Sequence, residues 1–249
     1  MGILTKGKIM LKPTAIVLAL LAIGTASPGH SSIFHAQYLG TVSFGFDQSG
    51  VFGPTGGNLS GDHFVADFVI DDAAGTYDAQ PGYSAVFGGG QSGQSPVGIG
   101  TLTINGLSSS SGDFNGGAAR AIPAYFGESF VQHFSETRIN NSAVFEQDTL
   151  NLSILSFSDF FVDNLHLGAP LYHVVNSADQ ASGLWETFFL DRNTGQSIAS
   201  SVHLNIDSVA IWGGPAPEPS AWASMLVGFL VIGAALRVTH RNRSSRTRA

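Results

Sequence analysis

Cysteine is absent from all 249 residues, which excludes a disulfide framework, a thiol nucleophile and a thiolate-held metal. Lysine is confined to Lys6, Lys8 and Lys12. Across residues 27–216 the basic side chains are Arg120, Arg138 and Arg192 alone, against 17 Asp and Glu, a formal charge of −14. Nucleic acid and anionic lipid surfaces both require a positive patch that displaces their counterions, so this stretch repels them. Its acidity instead favours solubility and suits loosely held divalent cations. Helical patterning is scarce too: the one modest candidate between the chain ends is 118–126, and Pro123 interrupts it.

What the chain does have begins at its ends. Residues 1–26 carry three lysines, then the apolar run Thr14 to Ile23, then Gly24-Thr25-Ala26. Positive charge, a short apolar stretch and small residues in that order make a secretory signal peptide, and its helix is too short for a permanent span of roughly 20 residues. Export machinery is therefore the first expected partner.

Between the ends, residues 27–214 alternate apolar and polar positions with period two, the mark of half-buried strands. Tyr38, Val42, Phe44 and Phe46 are expected on one sheet face. The same reading groups Phe64, Ala66, Phe68 and Ile70, then Leu102 with Ile104, then Leu150, Leu152 and Ile154. It also sets Val202, Leu204 and Ile206 opposite His203, Asn205 and Asp207. Gly, Ser, Asn and Pro punctuate the intervals, as in Gly53-Pro54-Thr55-Gly56-Gly57-Asn58, and Asp191-Arg192-Asn193-Thr194-Gly195 predicts a hairpin turn. The 31 glycines, about 12% against a usual 7%, fit many turns. The expected fold is all-β, an antiparallel β-sandwich or jelly-roll-like body, with 88–100 and 108–117 as long surface loops or as a boundary between two smaller lobes.

Residues 215–249 have a third character. Pro217, Glu218 and Pro219 form a rigid, extended triplet that continues neither helix nor ladder. Pro219 to Leu236 then runs 18 residues without a charge, about 27 Å as a helix, enough to enter a hydrocarbon core. The transmembrane helix is placed at 220–238. Trp222 sits at its outer end, Gly228 and Phe229 lie within it, and Arg237, Arg241, Arg243, Arg246 and Arg248 crowd the far flank. Arginine marks the cytoplasmic side, so the body lies outside the inner membrane.

This ordered set of Pro-Glu-Pro, apolar span and basic cluster resembles the PEP-CTERM sorting region of Gram-negative bacteria. The resemblance covers about 25 residues and departs from the family in running twelve residues past Arg237. It implies recognition by an exosortase-type processing enzyme, transient anchoring, cleavage near Pro217 to Pro219 and delivery to the cell surface or exopolysaccharide matrix. An uncut anchor that holds an ectodomain permanently is the other reading of the same residues. Gly40 to Asp71 also looks like an opening common in proteins with this tail, which implies shared β architecture and no particular activity.

Chemistry is sparse in the body. None of His35, His63, His133, His166, His173 and His203 has the i, i+4 partner of a zinc protease, His166 and His173 being the nearest to a pair. Asp71, Asp72 and Asp78, and Asp191 with Asn193, place oxygen ligands for Ca²⁺ on turns. Gly90-Gln91-Ser92-Gly93-Gln94 misses the nucleophile-elbow pattern at its last position. Gly88-Gly89-Gly90 is followed by neither the lysine nor the helix of a phosphate cradle. Glu128, Glu136, Glu146 and Glu186 could supply the carboxylate pair of a polysaccharide hydrolase. Tyr77, Tyr83, Tyr125, Tyr172 and Trp185 are candidates for stacking on sugar rings. No catalytic constellation is legible, and the expectation is a non-enzymatic surface or matrix protein.

Overall fold

The computed structural model describes residues 33–90, 93–123 and 127–213. Its elements are β1 (Ile33–Asp47), β2 (Gly57–Asn58), β3 (His63–Asp71), β4 (Thr76–Gln80), β5 (Tyr83–Gly89), β6 (Gly98–Ile104), β7 (Leu107–Ser111), β8 (Asn115–Ala121), β9 (Ser129–Asn140), β10 (Val144–Ser156), β11 (Leu171–Val174), β12 (Asp179–Asp191) and β13 (Ser197–Trp212). They form one sheet in the order β4-β5-β8-β9-β10-β12-β13-β1-β3-β6-β7, with β2 beside β1 and β11 beside β13. The paired strands run antiparallel, as in β1 with β13 and β10 with β12. The fold is all-β, as the period-two patterning requires. The signal segment 1–26, the sorting region 215–249 with its span 220–238, and Tyr125 lie outside the described residues.

The sheet is curled. β6 touches β8, β9 and β10, and β7 touches β9 and β10, strands from the other half of the order. The face wrapped inside carries the core: Phe64, Ala66, Phe68 and Ile70 from β3, Leu102 and Ile104 from β6, Leu150, Leu152 and Ile154 from β10, and Val202, Leu204 and Ile206 from β13. These are the predicted faces. Burying each such side chain contributes about 1.5–3 kcal/mol. The hairpin at Asp191 to Gly195 is also present: Leu190 pairs with Ser197, and the Asp191 carboxylate accepts the Asn193 and Thr194 amides.

Three expectations give way to tertiary geometry. Phe44 and Phe46 do not share the face of Tyr38 and Val42. The register of β1 against β13 slips between Val42 and Phe44, and a bulge turns every later side chain to the other face. Phe44 is 62% exposed, whereas Tyr38 is fully buried. Nor does a helix begin at 118, since Ala118, Ala119 and Ala121 belong to β8, buried at every position. Finally, the serine- and glycine-rich run at 108–117 is largely strand, within β7 and β8, whereas the run at 88–100 is strand only at its two ends, in β5 and β6. Their small residues let the halves of the sheet approach: a Cβ at Gly100 would collide with Ser135 on β9, and one at Gly116 would meet Gly98 backbone on β6.

The two ends of the curled sheet differ. At the Ser129–Ser156–Asp179 end, the segment 157–170 folds over the opening and puts Val162 and Leu167 inside. Ser129 Oγ accepts the Val162 amide at 3.1 Å, the Ser84 hydroxyl donates to Leu165 O, and the buried Arg120 guanidinium donates to Ala169 O at 3.0 Å. At the opposite end the loop after β1 buries Phe52 and Leu59 in the core but leaves a cleft beside them.

A candidate cleft at the open end of the sheet

β9, β10, β12 and β13 span 12, 13, 13 and 16 residues, against 7 and 5 for β6 and β7. The long strands overhang, and their inner face changes character in two-residue steps. Ser135, Leu150, Trp185 and Val202 form a buried row; Thr137, Asp148, Thr187 and Ser200 come next; Ile139, Glu146, Phe189 and Ile198 stand at the rim. The outer rows bound a cleft of about 230 Å³, with Trp185 as floor, Glu146, Asp148 and Thr187 on one side, Phe189 and Ile198 as apolar wall, and Ser49, Val51 and Ser109 opposite.

The opposite wall is held by a buried carboxylate. Asp47 Oδ1 accepts the Ser49 hydroxyl at 2.7 Å and the Gly50 amide at 2.8 Å, while Oδ2 accepts the Phe52 amide at 2.7 Å. Ser49 N also donates to Ser200 Oγ at 3.0 Å. Phe52 is thereby driven into the core edge-on to Trp185, ring centroids 4.8 Å apart. Side chains of the loop after β1 thus reach the cleft while its backbone stays pinned.

Electrostatically the cleft is one-sided. Glu146 and Asp148 occupy alternate positions of β10 and face the same way. Burial pushes the Glu146 carboxyl above the usual range, and the neighbouring Asp148 and Asp113 carboxylates add to this. Asp148 Oδ1 is shut off from solvent with no hydrogen-bond partner. No basic side chain lines the cleft.

Of the four glutamates weighed from sequence, only Glu146 reaches this site, and its companion is Asp148 rather than another glutamate. Glu136 and Glu186 lie on the outer face, in one row through Thr149. Glu136 is consumed by Asn115 Nδ2 at 2.6 Å, Arg138 at 2.6 Å and Gln147 Nε2 at 2.9 Å. Glu186 borders a shallow depression of about 300 Å³ with Gln147, Thr149 and Phe188. Glu128 precedes β9, near the plugged end. Asp148 is not legible as a site residue in the sequence, because period-two patterning marks which positions face inward, not where an inward face reaches solvent.

The other candidates are dispersed. Trp185 is core, 1% exposed, and cannot offer its face to a sugar; Tyr172 is 72% exposed on β11, Tyr77 lies on β4 and Tyr83 on β5. His133 is buried in the core, and His173 Nε2 donates to the Asp179 carboxylate at 2.8 Å while its ring stacks on Phe161 at 4.1 Å. Its ring is thus engaged by residues other than His166. His35 stacks on Trp212 at 5.5 Å and His203 lies beside Phe44. Among the proposed Ca²⁺ ligands, Asp71 accepts the Ala73 amide, Asp78 the Gln80 side chain, and Asp191 the turn amides, which hold its carboxyl below the usual range. Asp72 is buried, and among the described residues no three His, Cys, Asp or Glu converge to hold a metal.

Comparison of the chain with protein-family models, with curated proteins and with solved structures finds no match.

Proposed function

We propose that this chain is an exported protein of the cell surface or exopolysaccharide matrix, structural or binding rather than enzymatic. Its β-sandwich or jelly-roll-like body is carried out by the signal segment and sorted by the tail. The observation that carries this reading is the order of the tail: Pro217-Glu218-Pro219, 18 uncharged residues and five arginines. The acidic body is consistent with it, since a surface of this charge stays soluble outside the cell and is not drawn to anionic lipid. In this reading the inner membrane holds the protein briefly and an exosortase-type enzyme releases it. The test is fractionation of native cells with mass spectrometry of the mature C-terminus. The expected product ends near Pro217 to Pro219 and is recovered outside the inner membrane; an intact arginine tail retained there would count for the permanently anchored ectodomain.

A polysaccharide-hydrolase reading has one observation in its favour, the Glu146 and Asp148 pair inside a cleft. Strand positions two apart lie roughly 6.6 Å from Cα to Cα, and hydrolytic carboxyl pairs stand about 5 to 9.5 Å apart. Release of reducing ends from the host's own polysaccharide, lost in Glu146→Gln, would favour it over the binding role.

A further inference from the structure

We infer that the cleft at the open end of the sheet binds one cationic amino-sugar residue of a glycan, its ammonium between Glu146 and Asp148 and its ring against Phe189 and Ile198. This deepens the matrix-binding reading and rests on it. Three features of the cleft converge on such a ligand.

The first is charge. Glu146 and Asp148 line the cleft, Asp113 lies near enough to act on Glu146, and no basic side chain offsets them. A ligand entering here must tolerate negative charge or bring positive charge. The second is an unmet hydrogen bond: Asp148 Oδ1 is sealed from solvent without a donor. A buried acceptor left unpaired is costly, and a cationic donor that reached it from the cleft would relieve that cost. The third is the remainder of the wall. Ser49, Ser109 and Thr187 supply hydroxyls, while Val51, Phe189 and Ile198 supply apolar surface. A bare metal ion is a poor match for that lining, and no metal-holding triad is present among the described residues. A ring with apolar faces, hydroxyl edges and one ammonium uses all three kinds of surface.

The experiment is titration calorimetry on the full-length protein in detergent with the fully deacetylated glucosamine tetramer, alongside cellotetraose and tetralysine. The glucosamine tetramer should bind at least tenfold more tightly than either companion. Glu146→Gln and Asp148→Asn should each weaken it at least tenfold. Ser109→Trp fills the cleft from β7 with both carboxylates intact, and should abolish binding without depending on how the carboxylate variants fold. Equal binding of cellotetraose, equal binding of tetralysine, or full affinity in Ser109→Trp would each overturn the inference. Finding the body in the cytosol would sink the export reading and leave this measurement standing.

Discussion

Tyr38 on β1 and His133 on β9 meet inside the curled sheet, hydroxyl oxygen to Nδ1 at 2.7 Å, and so tie together strands 95 residues apart. Burial raises the Tyr38 hydroxyl far above its ordinary value, against a smaller opposing pull from Arg120. The phenol therefore keeps its proton, and in the His133 tautomer that leaves Nδ1 bare it donates to that nitrogen. Burial, with the Arg120 guanidinium adding to it, lowers His133 to about 3, so the ring is neutral in the folded protein. The unfolded chain takes up a proton on this histidine below about pH 6.5, whereas the folded one does so only near 3. The stabilisation is complete above the unfolded value and is lost as pH falls through that window, at up to about 1.4 kcal/mol per pH unit. Urea midpoints at pH 7, 5.5 and 4 check this. Wild type should lose more stability across the series than His133→Asn, and parallel losses would refute the assignment.

Gly100 is where β6 passes over β9. Any side chain there meets Ser135 Oγ and the Phe68 ring. Gly100→Val should destabilise the body by about 1–3 kcal/mol, read as a lower melting temperature by circular dichroism. Gly127→Val is only partly a control, because that glycine has open space but a φ of 71°; Gly53, with no neighbour within 4 Å and no left-handed φ, is the cleaner one. Gly53→Val should leave the melt almost unchanged.

Asp47 fastens the loop that forms one cleft wall. Asp47→Ala removes three hydrogen bonds at once and leaves the Phe52 amide without its acceptor. The expected cost is about 1–3 kcal/mol, with faster hydrogen exchange at Gly50 and Phe52. Exchange unchanged at both amides would show that Phe52 packing against Trp185, and not the carboxylate, sets the loop.

Arg120 holds the plug at the closed end through the carbonyls of Asn164 and Ala169, at 3.4 and 3.0 Å. Burial lowers its guanidinium to about 10, still protonated at neutral pH, and its Nε has no partner. Exchanging a buried cation for an apolar chain of similar length removes a desolvation cost, so Arg120→Met should change the global melt by less than about 2 kcal/mol. Cleavage within 163–170 by a nonspecific protease should nonetheless accelerate several-fold. Protection equal to wild type would place the plug's stability in Val162 and Leu167 instead.

The strand faces were legible where the ladder is regular, as along Phe64 to Ile70 and Leu150 to Ile154, because alternation reports burial directly when nothing interrupts the pleat. They failed at Phe44, where a single extra residue reverses the parity of all that follow. The glycine- and serine-rich run at 108–117 and the ends of 88–100 depart from their composition for a different reason. Composition reads glycine as turn, yet at Gly98, Gly100 and Gly116 the glycine makes room for another strand, and the alanines of β8 are selected for volume rather than helix propensity. The cleft was half visible: Glu146 stood among the candidate carboxylates, but Asp148, Asp47 and Ser109 gain their meaning from neighbours on other strands.

From the order of residues alone come an all-β body, its acidity, most of its inward positions and the three-part tail, since each depends on the character of neighbouring side chains along the chain. Which strands lie side by side, where the pleat slips, and which end of the curl stays open were decided only in three dimensions. Those outcomes depend on pairings between residues far apart in sequence and on the volume left between them, and local periodicity carries no information about either.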